Sequence, residues 1–254
     1  MIVKNLVSII MPSYNTANYI SESIDSVIKQ TYGNWELIIV DDCSVDNTDI
    51  VVGRYKDSRI IYIKNEKNSG AAVSRNKALR VAKGEWIAFL DSDDLWEPRK
   101  LEKQLKFMID NGYKFSCTGR DEIDENSKPL GNITTSPKHI NKYGMYLYCW
   151  IGCLGVMYHL PTVGLIQIAD LKKNNDYAMW LKVIKKCDCY CFDEVLAHYR
   201  VRKKSISHDK LMLLIKSHYD MFRLSEKMNI ITSIALTLGN IFFGIYKKCF
   251  YIKK

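Results

Sequence analysis

The sequence predicts an α/β fold: an open, mostly parallel sheet of the doubly wound, Rossmann-like kind with helices on both faces, followed by C-terminal helices. Three observations carry that expectation. Apolar runs of the sort needed by strands buried on both faces recur at Leu6 to Met11, Trp35 to Val40, Ile60 to Lys64 and Trp86 to Leu90. Stretches of helical periodicity separate them, giving β-α-β-α-β-α-β in the first part of the chain. Each apolar run also ends in polar side chains, and open parallel sheets bind their ligands outside the carboxyl ends of the strands.

The elements follow in order. After Leu6 to Met11, Pro12-Ser13-Tyr14-Asn15 turns the chain into an amphipathic helix from Tyr19 to Gln30. Trp35 to Val40 ends in Asp41, Asp42, Cys43 and Ser44, with Asp46 and Thr48 placed to start a helix as capping residues. The third strand leads through Asn68, Ser69 and Gly70 into a helix carrying Arg75 and Asn76. The fourth runs straight into Asp91-Ser92-Asp93-Asp94, and a helix begins near Pro98. Ile151 to Met157 reads as a further strand whose glycines allow close backbone approach or form a bulge. A helix is expected over Tyr177 to Lys186 and a strand from Glu194 into Arg200, Arg202, Lys203 and Lys204. We expect a catalytic domain over residues 1–208, with a nucleotide-binding part at 1–98 and an acceptor part at 99–208, and a basic helical segment at 209–254.

A composition of 47% hydrophobic and 26% charged residues is that of a soluble globular chain with a full core. The net charge of +9 implies an anionic partner, for which nucleotide phosphates, nucleic acid and an anionic membrane face all qualify. Eight scattered cysteines with no secretory signal before them suit a reducing cytoplasm. Cys187, Cys189 and Cys191 alternate as on one face of a strand, a reading favoured over a metal knuckle. The histidines show no metal-ligand spacing.

Three carboxylates within four residues, Asp91, Asp93 and Asp94, repel one another unless a cation offsets them. Hard ions such as Mg²⁺ and Mn²⁺ bind through one or two carboxylates plus the phosphates of a substrate, which points to a nucleoside diphosphate. The same acids can equally cap the helix after them. Tyr14 could stack on a base, Asp42 could accept from a base N–H, and Arg75 could approach a diphosphate, although each is also an ordinary turn or cap residue. Their shared place at strand ends gives the set its weight.

At this point the chain resembles the inverting glycosyltransferases of family 2, which have the nucleotide-diphospho-sugar fold called GT-A. The matching pieces are Pro12-Ser13-Tyr14-Asn15, Val40 to Ser44 with Asp46 and Thr48, Asn68-x-Gly70 with Arg75 and Asn76, the Asp-x-Asp motif at Asp91 to Asp93, and Asp176 to Leu181. The resemblance implies that Tyr14 and Asp42 hold the uracil of a UDP-sugar, with Pro12, Asn15, Asn68 and Gly70 assigned by position to the nucleotide-sugar site. By the same resemblance Asp91 and Ser92 lie near the ribose, Asp93 binds Mn²⁺ or Mg²⁺, and Asp176 is the general base. Arg75, Arg200 and Arg202 are then the basic residues for the diphosphate.

Two departures stand out. Cys43 replaces the glycine common after the paired aspartates, and Asn175-Asp176 replaces a Glu-Asp pair, removing a charge beside the base. Without the family, Asp176 reads as a helix N-terminal residue meeting the helix dipole.

The expected activity is therefore transfer of a hexose or N-acetylhexosamine from a UDP-sugar to a hydroxyl. The expected setting is bacterial capsule, lipopolysaccharide O-antigen or exopolysaccharide synthesis on a lipid-linked acceptor. A nucleotidyltransferase of similar fold would need a glycine-rich basic loop where Pro12 to Asn15 stands. A basic nucleic-acid-binding module would not gather acids at strand ends, so no nucleic-acid partner is expected. The uncharged run Ile230 to Tyr246, followed by Lys247, Lys248, Lys253 and Lys254, is short for a span. It suits a helix lying peripherally on the inner face of the cytoplasmic membrane, or one packed on the catalytic domain.

Overall fold

The computed structural model describes residues 2–171, 173–202 and 211–253; Lys203, Lys204 and the serines at 205 and 207 lie outside them. Four parallel strands form the centre: β1 (Val3–Ser13), β2 (Trp35–Asp41), β3 (Ile60–Lys64) and β4 (Gly84–Phe89), in the order β4-β1-β2-β3. Ile9 of β1 stands beside Leu37 on one side and Ala88 on the other. Every residue of β2 is buried, as its unbroken apolar run requires.

Alternate residues of these strands feed two separate cores. Val7, Ile9, Met11, Leu37 and Ile39 face α1 (Ile20–Ile28) and α4 (Lys100–Asp110), which contribute Ile20, Ile24, Leu101 and Leu105. Ile10, Ile38, Val40, Ile87 and Phe89 face the other way, toward α3 (Ala71–Val81) and α7 (Asn175–Ile184). Period-two strands between period-3.6 helices give the doubly wound sandwich that the sequence predicts. A short α2 (Thr48–Val52) connects β2 to β3. Gly84 is required where β4 begins, because a Cβ there would lie 2.6 Å from Ser8 N.

Beyond β4 the sheet becomes mixed. A two-residue strand β5 (Leu95–Trp96) precedes α4, then come β6 (Phe115–Ile123), β7 (Pro129–Thr134), β8 (His139–Ile140), β9 (Met157–His159) and β10 (Cys189–Arg200). β9 lies antiparallel between β4 and β6, while β10 runs parallel to β6 with two register shifts. Helices α5 (Lys142–Leu147) and α6 (Leu160–Val163) fill the connections.

The strand expected over Ile151 to Met157 is a correction. Cys153–Gly155 is a 3₁₀ turn, and strand pairing starts only at Met157. The glycines there do serve close approach, but to β6: a Cβ on Gly155 would meet Thr118 O at 2.9 Å, and one on Gly152 would meet Arg120 Nη1 at 2.1 Å.

The chain ends with α8 (Leu211–Asp220), a π-helical turn at Met221–Ser225, α9 (Ile230–Phe250) and β11 (Ile252–Lys253), which pairs with the edge strand β7. α9 docks through buried polar side chains, with Leu236 and Phe243 packed partly buried against the core. Ser233, Thr237, Asn240 and Lys247 are buried, whereas Ile231, Leu238, Phe242 and Ile245 are each more than half exposed. Asn240 Nδ2 reaches Tyr146 O at 3.3 Å and Lys247 Nζ reaches Trp150 O at 2.6 Å.

Candidate active site

The polar residues at the ends of β1, β2 and β4 gather at one edge of the sheet. β2 finishes with Asp41, which is fully buried and structural: it accepts from Ser44 N at 3.0 Å and from the Tyr62 hydroxyl at 2.6 Å. Cys43 then adopts φ +63°, a left-handed conformation that favours glycine. Asp42 turns toward the loop before α3. Its Oδ1 accepts from Asn65 Nδ2 and Ser69 N, both at 2.9 Å, and its Oδ2 accepts from Gly70 N at 2.6 Å. Asp42 thus shapes the loop that presents Asn68 and Gly70 at an exposed rim.

Tyr14, which follows the end of β1, is 47% exposed. Pro12 is buried in β1 beside Val40. Asn15 at φ +52° accepts from Val45 N through Oδ1 and so ties the first turn to the second. Ser92 is buried, accepting from Thr16 Oγ1 at 3.0 Å in a hydroxyl chain that continues to Ser13. Its place is beneath the site rather than at the mouth.

The acids after β4 differ among themselves. Asp91 is partly exposed and pairs with Arg75, Nη2 to Oδ1 at 2.5 Å. Asp93 pairs with Arg202 at 2.8 Å, and burial, then the Asp91 charge, hold its carboxyl above the usual range. Asp94 is fully enclosed, accepts from Arg200 N at 2.8 Å, and is pushed well up by burial and by both neighbouring acids. Repulsion among the three acids is therefore real and is met by two arginines.

Arg75 links this motif to α7. Burial opposes its charge, but Asp91 first, then Cys153 and Asp176, outweigh that and raise it. Its Nη1 lies 3.4 Å from Asn175 Oδ1, while its buried Nε has no partner. Asp176 stands in the first turn of α7, half-buried, its Oδ1 accepting from Tyr177 N at 2.8 Å. The structure therefore joins Asp91, Arg75, Asn175 and Asp176 into one contiguous group, and Asn175 fills a linking place that the sequence reading treats only as a lost acid.

Arg200 departs from its expected place. Its side chain has no exposed surface: Nε donates to Asp93 O at 2.7 Å, Nη1 to Ser127 Oγ at 2.9 Å, and Nη2 meets Glu22 at 2.9 Å. With its donors consumed, it braces the wall behind Asp93. Arg202 remains partly exposed beside Asp93, and both arginines lie over the Tyr19 ring, at 5.0 and 5.6 Å.

The donor set suits a hard divalent ion shared with substrate phosphates, since Asp91 and Asp93 offer only oxygen and one or two carboxylates suffice for such sites. Among the described residues no group of three His, Cys, Asp or Glu side chains forms a complete protein cage. The eight cysteines are free thiols.

This fold, with acids and a recessed carboxylate at the strand ends, is that of the GT-A glycosyltransferases. Residues 8–155 match the model of glycosyl transferase family 2, and the chain belongs to that family. It is 41% identical to the putative teichuronic acid biosynthesis glycosyltransferase TuaG of Bacillus subtilis, over 89% of this chain and 90% of that one. It is 40% identical to the UDP-Glc:alpha-D-GlcNAc-diphosphoundecaprenol beta-1,3-glucosyltransferase WfgD of Escherichia coli, over 98% and 97%. Like these relatives the chain is a family 2 glycosyltransferase. Among solved structures, S. aureus TarS 1-349 in complex with UDP-GlcNAc superposes with a TM-score of 0.73 at 21% identity, covering 91% of this chain and 71% of that one. The mannosyltransferase PcManGT from Pyrobaculum calidifontis, in complex with GDP-Man and Mn²⁺, gives 0.67 at 17% identity, covering 96% and 73%.

Proposed function

We propose that this glycosyltransferase moves a hexose or N-acetylhexosamine from a UDP-sugar to a hydroxyl of a lipid-linked glycan, with inversion at the anomeric carbon. The observation that carries the reading is the contiguous group Asp91, Arg75, Asn175 and Asp176, which sets one half-buried carboxylate against the strand ends. The relatives' names support the substrate class, since WfgD uses UDP-Glc and a diphosphoundecaprenol acceptor.

In this reading Tyr14 stacks on the uracil against the loop that Asp42 holds, with Pro12, Asn15, Asn68 and Gly70 completing the base pocket. Asp91 faces the ribose, and Arg75 keeps it in place against the start of α7. Asp93 would hold Mn²⁺ or Mg²⁺, which supplies positive charge for the departing UDP. Arg202 adds a partly exposed charge next to the diphosphate, while Arg200 and Ser92 brace the wall and floor. Asp176 uses Oδ2 to take the acceptor hydroxyl proton as that oxygen attacks the anomeric carbon from the face opposite UDP. One displacement inverts the centre without a covalent intermediate.

The same reading places the enzyme in the cytoplasm, peripherally on the inner membrane face. α9 buries Ser233, Thr237, Asn240 and Lys247 against the protein while leaving Ile231, Leu238, Phe242 and Ile245 exposed, an unusual division for a helix stabilised in water alone. Met212 and Leu213 of α8 and Leu224 just after it are also exposed, which enlarges the apolar surface. A lipid surface satisfies such a face, and a lipid-linked acceptor is met there. The test is to incubate the purified protein with a panel of UDP-sugars and Mn²⁺ and follow release of UDP. Hydrolysis of one UDP-sugar that stops on chelation supports the donor and metal assignments; no release from any UDP-sugar overturns the donor.

A further inference from the structure

We propose that Asn174 and Tyr177 are positioning residues for the Asp176 carboxylate, and that α8 and α9 belong to the active site because they hold both. The proposal rests on the reading of Asp176 as the base that takes the acceptor proton.

Asn174 stands where α7 begins and breaks a local rule. Asparagine at a helix N-cap ordinarily turns its side chain back to accept from the N–H of the second or third helical residue. Here the backbone is left-handed, φ +57°, the side chain makes no capping bond, and Nδ2 donates outward to Ser217 Oγ of α8 at 3.1 Å. The Ser217 hydroxyl is itself fixed, because its proton goes to Leu214 O at 2.8 Å within α8. Tyr177 N, the third helical N–H and so the one within reach of such a cap, goes to Asp176 Oδ1 instead, at 2.8 Å. Holding Asn174 outward thus leaves the catalytic carboxylate its own anchor. A local signal overridden in this way points to a functional demand at the helix start.

Tyr177 fixes the other end of that anchor. The residue is 2% exposed and is held by ring and hydroxyl alike. Its hydroxyl donates to Met145 O of α5 at 2.7 Å and accepts from Asn240 Nδ2 of α9 at 3.4 Å. The same amide reaches Tyr146 O at 3.3 Å, so α9 clasps the end of α5 and Tyr177 together. The Tyr177 ring meets His218 of α8 and Phe222 of the π-helical turn edge-on, with centroids 6.1 and 6.2 Å apart.

The residues around Asp176 are therefore tied to different parts of the fold: Asn174 to α8, Asn175 to Arg75 of α3, and Tyr177 to α5 and α9. α7 is already packed in the core by Met179, Trp180, Leu181 and Val183, so the polar ties at its first turn add placement rather than burial. Placement is what a base needs, because misplacing a reacting group by about 1 Å costs up to roughly 10²-fold in rate.

The experiment measures transfer by the full chain from the UDP-sugar that it hydrolyses to a hexosamine on a short prenyl diphosphate. Ser217→Ala and Tyr177→Phe are each expected to lower kcat about tenfold with Kd for the UDP-sugar unchanged. Ser217→Thr keeps the hydroxyl and should stay within about twofold of wild type. In an Asp176→Asn background, where no base is left to place, adding Ser217→Ala should lower the residual rate no further, a non-additivity that a purely structural contact does not produce. Ser217 is half-buried on α8, outside the core, so its variants decide the matter even where Tyr177→Phe unfolds. Wild-type kcat in Ser217→Ala, an equal loss in both backgrounds, or weaker donor binding overturns the proposal and leaves the base reading standing. Normal turnover of Asp176→Asn by itself removes the base reading, and the proposal with it.

Discussion

Residues 3–98 and the region from residue 99 onward are built by different rules. In the first, β1 to β4 pair in parallel with one another in the order β4-β1-β2-β3, and helices cover both faces. In the second, pairing is antiparallel or bulged, and single side chains tie distant pieces together: Arg200 reaches Glu22, Asp93 and the turn at Asp124 to Ser127. In the proposed function the first region would make the nucleotide site from local turn chemistry, and the second the acceptor site from contacts that only the finished fold supplies. Substitutions on either side of this division are expected to fail differently.

Arg200→Met attacks the join and carries the largest expected effect. It leaves Asp93 O and Ser127 Oγ without their donor and frees the wall behind the acid motif. Loss of about 3–5 kcal/mol in urea unfolding is expected, as for other buried charged networks broken from one side. A loss below about 1 kcal/mol would mean that the two regions hold together without it.

Asp176→Asn tests the opposite case, a residue whose cost is chemical. The amide keeps the size and the hydrogen bond to Tyr177 N, so stability should change by less than about 1 kcal/mol. Turnover should fall roughly 10²-fold or more while UDP-sugar affinity stays near wild type. Normal turnover would return Asp176 to the role of a helix-end residue.

These two residues also show what the sequence makes legible. β3 was readable to the residue, because Ile60 to Lys64 is a compact apolar run between turn signals. The placement of Tyr14, Asp42, Asp91 and Asp93 at one edge follows from strand ends alone. Burial of a charged side chain does not, since Arg200 and Arg202 look alike in sequence and only the fold encloses one of them. The close approach of Arg120 to Gly152 is likewise not legible, because the two lie on separate elements. In α9 the uncharged run reads as short for a span, and which of its residues face the protein, Ser233, Thr237 and Asn240 among them, follows only from the fold.

Asp93→Asn sharpens the comparison within the first region, because function and stability should part company there. Burial and Asp91 hold the Asp93 carboxyl above its usual range, so the folded state binds its proton more tightly than the unfolded chain does. Stability from this group is then present at low pH and lost as pH rises through the raised value. Removing the charge should leave unfolding free energy at neutral pH equal or higher and flatten its decline above the ordinary carboxylate range. Transfer should nevertheless be largely lost, and excess EDTA should abolish it in the wild type. A destabilised Asp93→Asn protein would show that the pair with Arg202 outweighs the repulsion.

The smallest effect on the fold is expected at the outer face of α9, where Ile231 is 82% exposed and Phe242 64% exposed. Neither side chain supports the core, so Ile231→Ser with Phe242→Ser should shift stability by no more than about 0.5 kcal/mol each. Release of UDP from a soluble donor should be unchanged, because the polar face that seats α9 through Asn240 and Lys247 is untouched. Co-sedimentation with anionic vesicles should fall steeply, since each buried apolar side chain contributes about 1.5–3 kcal/mol to partitioning. High salt should weaken the wild type's binding further by screening Lys248 and Lys253, whose attraction to anionic headgroups is on the order of 1 kcal/mol each. Vesicle binding that survives both serines would move the membrane contact away from α9. A protein that instead loses stability would show that the apolar side is packed against something other than lipid.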